Sequence, residues 1–345
     1  MPFTPGFDKQ EALDLLVMSA IIEDVTLPPP SGWKMLYTSE PFLPFNNKWA
    51  LWQRGSDSAF ALVNRGTVPE IGSVVEDILA LMIEATGEMT LCGYKVPYQF
   101  APADDKLAAV HIGFAAATIL ITDFPGMGII DQMKYYGVGS GSSVYITGHS
   151  QGAAMATLLT SYLHFHPSAP KGVSYKTYAF AQPKPGNDHY ASDFEHRFSN
   201  HGYGFRVTNS FDWVPQVPFT WEWIGDLNTP NLLSVQSPSA QLATIGRSPL
   251  TQESTKLVQD AGHALVEREL ARVRPAIEKL VAAKGAPAAA LSDCPFDAPI
   301  VLTFNYVAAG TNFSLIGTPC TGKDCNNPWF EHSATTYLPL LQKQG

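Results

Sequence analysis

Between Trp49 and Asn209 short runs of β-branched and aromatic residues alternate with longer stretches whose apolar positions recur at helical spacing. Trp49 to Gln53 and Ser58 to Asn64 predict two neighbouring strands joined by a turn at Gly55. Val74 to Ala85 and Leu107 to Thr122 predict helices. Val144 to Thr147 predicts a buried strand that runs into a helix over Gln151 to Phe165. Tyr175 to Ala181 and Phe205 to Asn209 predict two further strands, each leading into a Pro-bearing loop. Near the ends, the spacing predicts a short helix beginning at about Asp8 and a hairpin from Ile300 to Tyr306 and Asn312 to Ile316. Strands that are apolar on both faces and alternate with helices imply a largely parallel sheet covered on both sides. The fold class is therefore α/β, as a single domain over residues 1–345. In such sheets ligands bind beyond the carboxyl ends of the strands.

One segment breaks the alternation. From Trp221 the chain is rich in Pro, Ser and Asn, and a helical pattern then runs from Thr251 to Lys284. Leu257, Ala261, Leu265, Leu270, Val273, Ile277 and Leu280 give that helix an apolar stripe. The helical insertion 221–293 is read as an extra packing helix, with a cap over the site as the alternative.

Composition narrows the function. A hydrophobic fraction of 45% with 15% charged residues describes a folded chain with a full core. The net charge of -9 offers no basic patch for phosphates, so nucleic acid is excluded as a partner. Lipid contact would then rest on apolar burial. The run Leu15 to Ile22 lacks a basic leader and is no signal segment, and Leu107 to Thr122 is too short to span a bilayer. The expectation is a soluble protein, secreted or cytoplasmic. Cys320 and Cys325 stand at a spacing open to a small disulfide loop, whereas Cys92 and Cys294 are too distant in sequence to pair by inspection. With no His at ligand spacing nearby, no metal is expected.

The chemistry concentrates at Ser143 to Gly152, where a β-branched strand meets Gly148-His149-Ser150-Gln151-Gly152 and then a helix. A serine on such a strand-to-helix turn is held with its Oγ out of the sheet's end, and the flanking glycines relieve the crowding. A hydroxyl becomes a nucleophile when a base takes its proton and a third group orients the base. In this arrangement the acid follows a later strand, and the base comes last in the chain. Asp212 lies just past the strand ending at Asn209, with Asp188 as the competitor. Of the histidines beyond it, His263 sits in the helical stripe, whereas His332 hangs on a late loop. His332 is the predicted base, and His149 is read as a packing residue turned from the Oγ. The Gln151 N–H and the loop Asn64 to Thr67, where Gly66 permits close approach, are the predicted oxyanion donors.

Together Gly148-His149-Ser150-Gln151-Gly152, Asn64-Arg65-Gly66-Thr67, Val110 to Phe114, Asn209 to Pro215 and His332 resemble the class 3 lipases, the filamentous-fungal type of α/β-hydrolase. The resemblance spans about residues 45–220 and returns near 300–340. It implies an α/β-hydrolase fold, a catalytic triad of Ser150, Asp212 and His332, and an oxyanion site at Thr67 and Gln151. It also implies a lid over residues 68–89, where Ile71, Val74, Val75, Ile78, Leu79, Met82 and Ile83 form an apolar face; a core helix is the alternative for part of this stretch. The implied activity is a serine carboxylester hydrolase that needs no cofactor, foremost a triacylglycerol lipase working on lipid esters at an interface. Phospholipase A1 and a broad carboxylesterase for feruloyl or polyester substrates are the near alternatives. An acyltransferase and an inactive lipid-binding protein are the distant ones. Trp213, Val214 and Val217 are candidates for the acyl-chain groove.

Overall fold

The computed structural model describes residues 3–55, 57, 59–66, 81–220, 226, 228, 249–287, 291, 295–301, 303–318 and 326–344, without the side chains of 249–264. Its centre is a seven-stranded sheet in the order β1 (Trp33–Thr38), β2 (Lys48–Arg54), β3 (Ala59–Arg65), β8 (Ser143–His149), β9 (Ser174–Phe180), β11 (Gly204–Asn209) and β15 (Thr311–Leu315). The first two strands pair antiparallel, and from β3 onward the sheet is parallel. Every residue of β3 and β8 is buried, the mark of strands covered on both faces.

Side chains alternate between two cores, as the strand period requires. Trp52, Val63, Tyr145, Tyr178 and Val207 point to the face covered by α1 (Lys9–Ile22) and by the C-terminal α7 (Ala334–Gln344). Leu51, Leu62, Val144 and Ile146 point to the face covered by α2 (Ile112–Asp123) and α4 (Gln151–Phe165). Helix α1 begins where Asp8 accepts a hydrogen bond from the Glu11 N–H at 2.9 Å. The remaining helices are α3 (Ile129–Tyr135), α5 (Asp188–Arg197) and α6 (Pro249–Ala283). In α6 the residues Val273, Ala276, Ile277, Leu280 and Val281 are buried, and this half packs on α2. That is the part of the 221–293 insertion in which the stripe serves a core.

Short strands build two side sheets. One runs β13 (Ile300–Val301), β4 (Met82–Glu84), β7 (Ala109–His111), β10 (Gly186–Asn187) and β14 (Tyr306–Val307); the other runs β12 (Phe296–Asp297), β5 (Thr86–Leu91) and β6 (Tyr94–Gln99). They correct several expectations. Met82 and Ile83, predicted at the end of a helical lid face, are fully buried strand residues that pair with β7 and β13. The part of the 68–89 segment from 82 onward is thus built into the side sheets by distant partners, and residues 67–80 lie outside the described residues. The helix predicted from Leu107 starts only at Ile112, because residues 109–111 are claimed by β4 and β10. The terminal hairpin does not form: β13 pairs with β4, β14 with β10, and β15 lies parallel to β11 in the main sheet.

Cys92, set aside in the sequence, is disulfide-bonded, while Cys294, Cys320 and Cys325 lie outside the described residues. Its N–H also donates to Pro295 O at 3.2 Å, which ties β5 to the far end of the insertion. Among the described residues no helix is long and apolar enough to cross a membrane.

Candidate active site

The strand β8 ends at His149 and α4 begins at Gln151, so a single residue makes the turn. That residue, Ser150, has φ 58° and ψ -134°. A side chain at this φ costs on the order of 1–3 kcal/mol and persists only when its surroundings over-determine it. Here they do. The Ser150 N–H donates to Phe180 O at 3.0 Å, and its carbonyl accepts the first helical N–H, from Ala153, at 2.9 Å.

Three glycines close the turn from outside. A Cβ on Gly152 would stand 2.2 Å from Asn64 O, and one on Gly148 would stand 2.3 Å from Gly152 O. One on Gly66 would stand 2.4 Å from the Gln151 Cβ. Main chain therefore meets main chain where β3, β8 and α4 converge, bringing the loop after Asn64 against the start of α4. Gln151 holds the first position of that helix. The first N–H groups of a helix have no partner within it, and its amino end carries partial positive charge. Thr67, the other predicted oxyanion donor, lies outside the described residues.

The predicted acid and the predicted base come together from separate elements. Asp212 follows β11 and His332 precedes α7, and the parallel pairing of β11 with β15 places the two connections side by side. His332 Nδ1 lies 2.9 Å from Asp212 Oδ2, and both side chains are buried. A carboxylate can only accept, so Nδ1 carries the proton and Nε2 is left as the basic nitrogen. The Tyr337 hydroxyl also donates to Oδ2, at 2.7 Å, while the Val214 N–H donates to Oδ1 at 2.9 Å. The tyrosine in turn accepts the Asn209 N–H at 3.0 Å, so the last residue of β11 and the first turn of α7 steady one carboxylate. Among the described residues Ser150 Oγ and His332 Nε2 share no hydrogen bond; such contacts often tighten only when substrate binds.

His149 packs, with its ring buried against those of His332 and Tyr337, and it also forms hydrogen bonds that the packing reading did not include. Its Nδ1 lies 3.0 Å from Glu23 Oε1 and its Nε2 lies 2.6 Å from the carbonyl of His332. No local pattern signals these contacts, because Glu23 and His332 are remote from His149 in the chain. Tyr337 was also missed, although its place one turn into the helix after His332 was a usable signal.

The two histidines are driven in opposite directions. Burial pushes His332 below the ordinary imidazole range, and the nearby His149 adds to this, against the pull of Asp212. For His149 burial works the same way, yet the Glu23 carboxylate, by hydrogen bond and charge, and Asp212 hold it above that range. The predicted base is thus biased toward its neutral form, beside a histidine biased toward its cation.

Other predicted residues are spread around this core. Val214 and Val217 are buried just past Asp212. Trp213 is half-buried, donates its Nε1–H to Pro328 O at 2.9 Å, and packs on Trp329 at 5.2 Å between ring centroids. Asp188, the competing acid, instead opens α5 and accepts from Asn305 at 3.3 Å. His263 falls within α6, where its side chain is outside the described residues. Among the described residues no cluster of three or more His, Cys, Asp or Glu side chains could hold a metal ion. A strained serine at a helix start, a neutral buried imidazole and its carboxylate are a combination suited to acyl transfer through a covalent intermediate.

Residues 61–221 match the family model described as lipase, class 3. The chain is 28% identical over 177 residues to a secreted mono- and diacylglycerol lipase of Malassezia restricta, covering 51% of this chain and 49% of that protein. It is 28% identical over 189 residues to a secreted mono- and diacylglycerol lipase of Malassezia globosa, covering 52% and 57%. The chain thus spans about half the length of these relatives. Among solved structures, the Rhizomucor miehei triacylglyceride lipase aligns with a TM-score of 0.44 at 17% identity, over 62% of this chain and 77% of that one. Lipase II from Rhizopus niveus aligns with a TM-score of 0.40 at 19% identity, over 61% and 71%.

Proposed function

We propose, from the match of residues 61–221 to the class 3 lipase family model, that the chain is a serine carboxylester hydrolase whose substrates are acylglycerols. The observation that carries this reading is the constellation at the sheet's carboxyl edge: strained Ser150, and His332 bonded to Asp212 through Nδ1, which leaves Nε2 without a hydrogen-bond partner among the described residues. Ser150 Oγ attacks the ester carbonyl as His332 Nε2 takes its proton, giving a tetrahedral oxyanion. That negative oxygen is received at the start of α4 by the Gln151 N–H, with Thr67 as the proposed second donor. Collapse expels the alcohol, which takes the proton from His332 and leaves an acyl-Ser150 ester. Water, deprotonated by the same nitrogen, then releases the fatty acid and restores the serine. Asp212 stays ionised throughout and steadies the imidazolium. Trp213, Val214 and Val217, next to the acid, are proposed to contact the acyl chain.

Triacylglycerol is the first substrate reading. The Malassezia relatives are named for mono- and diacylglycerols, and this favours partial glycerides as the second. The disulfide at Cys92 and the secreted relatives together support secretion as the proposed localisation. The test is fatty-acid release from emulsified trioleoylglycerol, dioleoylglycerol, monooleoylglycerol and phosphatidylcholine, with p-nitrophenyl esters of graded chain length alongside. Release from the glycerides, absent in Ser150→Ala, is expected. Release from phosphatidylcholine alone would make the enzyme a phospholipase, and silence across the panel would remove the hydrolase reading.

A further inference from the structure

His149 contributes no atom to the proposed bond-breaking steps, yet it is among the most constrained side chains at the site. Its ring is buried, with both nitrogens at hydrogen-bonding distance from oxygens that only accept: Glu23 Oε1 at 3.0 Å and the His332 carbonyl at 2.6 Å. A neutral imidazole has one N–H, so it would leave a ring lone pair facing an oxygen lone pair in a buried site, which costs free energy. Both contacts are satisfied together only by the imidazolium. The charge is then matched by the Glu23 carboxylate at the end of α1.

Other charged and titratable groups around the ring do not compete for this role. From β3, Arg65 stands in register with His149, but its guanidinium reaches Asp24 at 3.3 Å and Asn46 O at 3.1 Å. From the loop before α7, Glu331 accepts from Asn209 at 2.9 Å. Tyr337 meets the His149 ring edge-on at 5.9 Å and donates to Asp212. The His332 ring lies 4.7 Å from that of His149 and bonds through Nδ1 to Asp212.

We infer that His149 is a positioning residue: clamped by Glu23, its imidazolium donates Nε2–H to the His332 carbonyl and fixes the base in front of Ser150. The inference rests on the proposed hydrolase reading for its kinetic part. Asp212 holds the His332 ring and His149 holds its main chain, so the base is gripped at both ends while residue 149 is itself the covalent neighbour of the nucleophile. A displacement of the loop by about 1 Å can cost on the order of 10²-fold in rate. The arrangement also makes the end of α1 part of the active-site support, although Glu23 touches neither Ser150 nor the acid.

Three variants of the full chain test this. His149→Phe keeps a buried ring and removes both donors. His149→Gln keeps an amide donor for the carbonyl but carries no charge. Glu23→Gln removes the counter-ion. With a short-chain p-nitrophenyl ester, His149→Phe should lower kcat on the order of 10- to 100-fold with KM little changed. His149→Gln should recover most of that loss. In His149→Gln the acid limb of kcat/KM should move to higher pH, because a cation that opposed protonation of His332 is gone. Glu23→Gln should fall between wild type and His149→Phe. Long-range ¹⁵N–¹H correlation spectra of ¹⁵N-histidine-labelled wild type, with His149→Gln for assignment, give a readout that needs no ester. At pH 7.5 His149 should show two protonated ring nitrogens and His332 one. A neutral His149 in those spectra, or His149→Phe with unaltered kcat and acid limb, would overturn the inference. If wild type hydrolyses no ester and its Ser150 resists a fluorophosphonate, the hydrolase reading fails, while the spectra still decide the His149 pairing.

Discussion

Helix α1 reaches two clusters of buried charge at opposite ends of the same sheet, and the two are built on different terms. At its first turn Glu11 accepts from Lys176 Nζ at 2.6 Å, from the Tyr178 hydroxyl at 2.7 Å and, through its other oxygen, from the Tyr145 hydroxyl at 2.6 Å. Lys176 is fully buried and gives a further hydrogen bond to Thr4 O at 3.0 Å. Each of these contacts joins a donor to an acceptor, and the carboxylate of Glu11 is engaged through both oxygens. Beyond the last turn of α1, Glu23 leads through His149 to His332, and among the described residues the series ends at His332 Nε2, which has no hydrogen-bond partner there. Completed pairing holds the fold; pairing that stops one partner short leaves a group able to react.

This contrast predicts that substitutions at the two ends separate rate from stability. The largest effect belongs to the carboxyl end. Ser150→Ala should lower kcat on the order of 10⁴-fold or more, His332→Ala nearly as much, and the double variant no further, because the two act as one unit. The urea midpoint of Ser150→Ala should match wild type to within experimental scatter. A double variant that loses the sum of the single losses would mean the residues work independently.

At the amino end Lys176→Met should do the reverse. It leaves the Glu11 carboxylate without its cation and should cost about 3 kcal/mol in urea unfolding, while kcat stays within about twofold of wild type. A large fall in kcat with unchanged stability would erase the distinction between the ends. Tyr337→Phe sharpens the comparison at smaller scale. Asp212 keeps His332 and the Val214 N–H but loses one hydroxyl donor, for an expected drop in kcat of about tenfold.

The smallest effect lies in the pH dependence of stability, where the neighbouring histidines oppose each other. The folded value of His149 is raised, so its contribution is complete below the ordinary imidazole pKa and fades as pH rises through the folded value. The folded value of His332 is lowered, so its contribution is complete above the ordinary pKa and is lost as pH falls through the folded value. Urea midpoints across pH should therefore lose their alkaline decline in His149→Gln and part of their acid decline in His332→Gln.

The central strands and α4 were legible because their signals are local: β8 and α4 meet at a glycine-flanked serine, and their apolar runs are long. Asp212 and His332 could be singled out because chain order restricts where an acid and a base can follow that serine. The side sheets were hidden, since strands of two or three residues such as β7, β10 and β13 exist only through partners far along the chain. Residues 109–111 carry a helix-like pattern that this remote pairing overrides. The part played by His149 was hidden for the same reason. Its partners are separated from it by 126 and 183 positions, and no spacing rule links them.

The close approach at Gly66, Gly148 and Gly152 bears on how this site can change over evolutionary time. The nucleophile is aimed by backbone packing in which an added methyl group would overlap a carbonyl oxygen or a neighbouring side chain. The proposed acyl-chain contacts of Trp213, Val214 and Val217 are made by side chains and could be rebuilt one substitution at a time. The attacking atom keeps its position while that happens. On the proposed reading, new ester specificities are thus reachable by gradual sequence drift, whereas relocation of Ser150 would require simultaneous change in three separate segments of the chain.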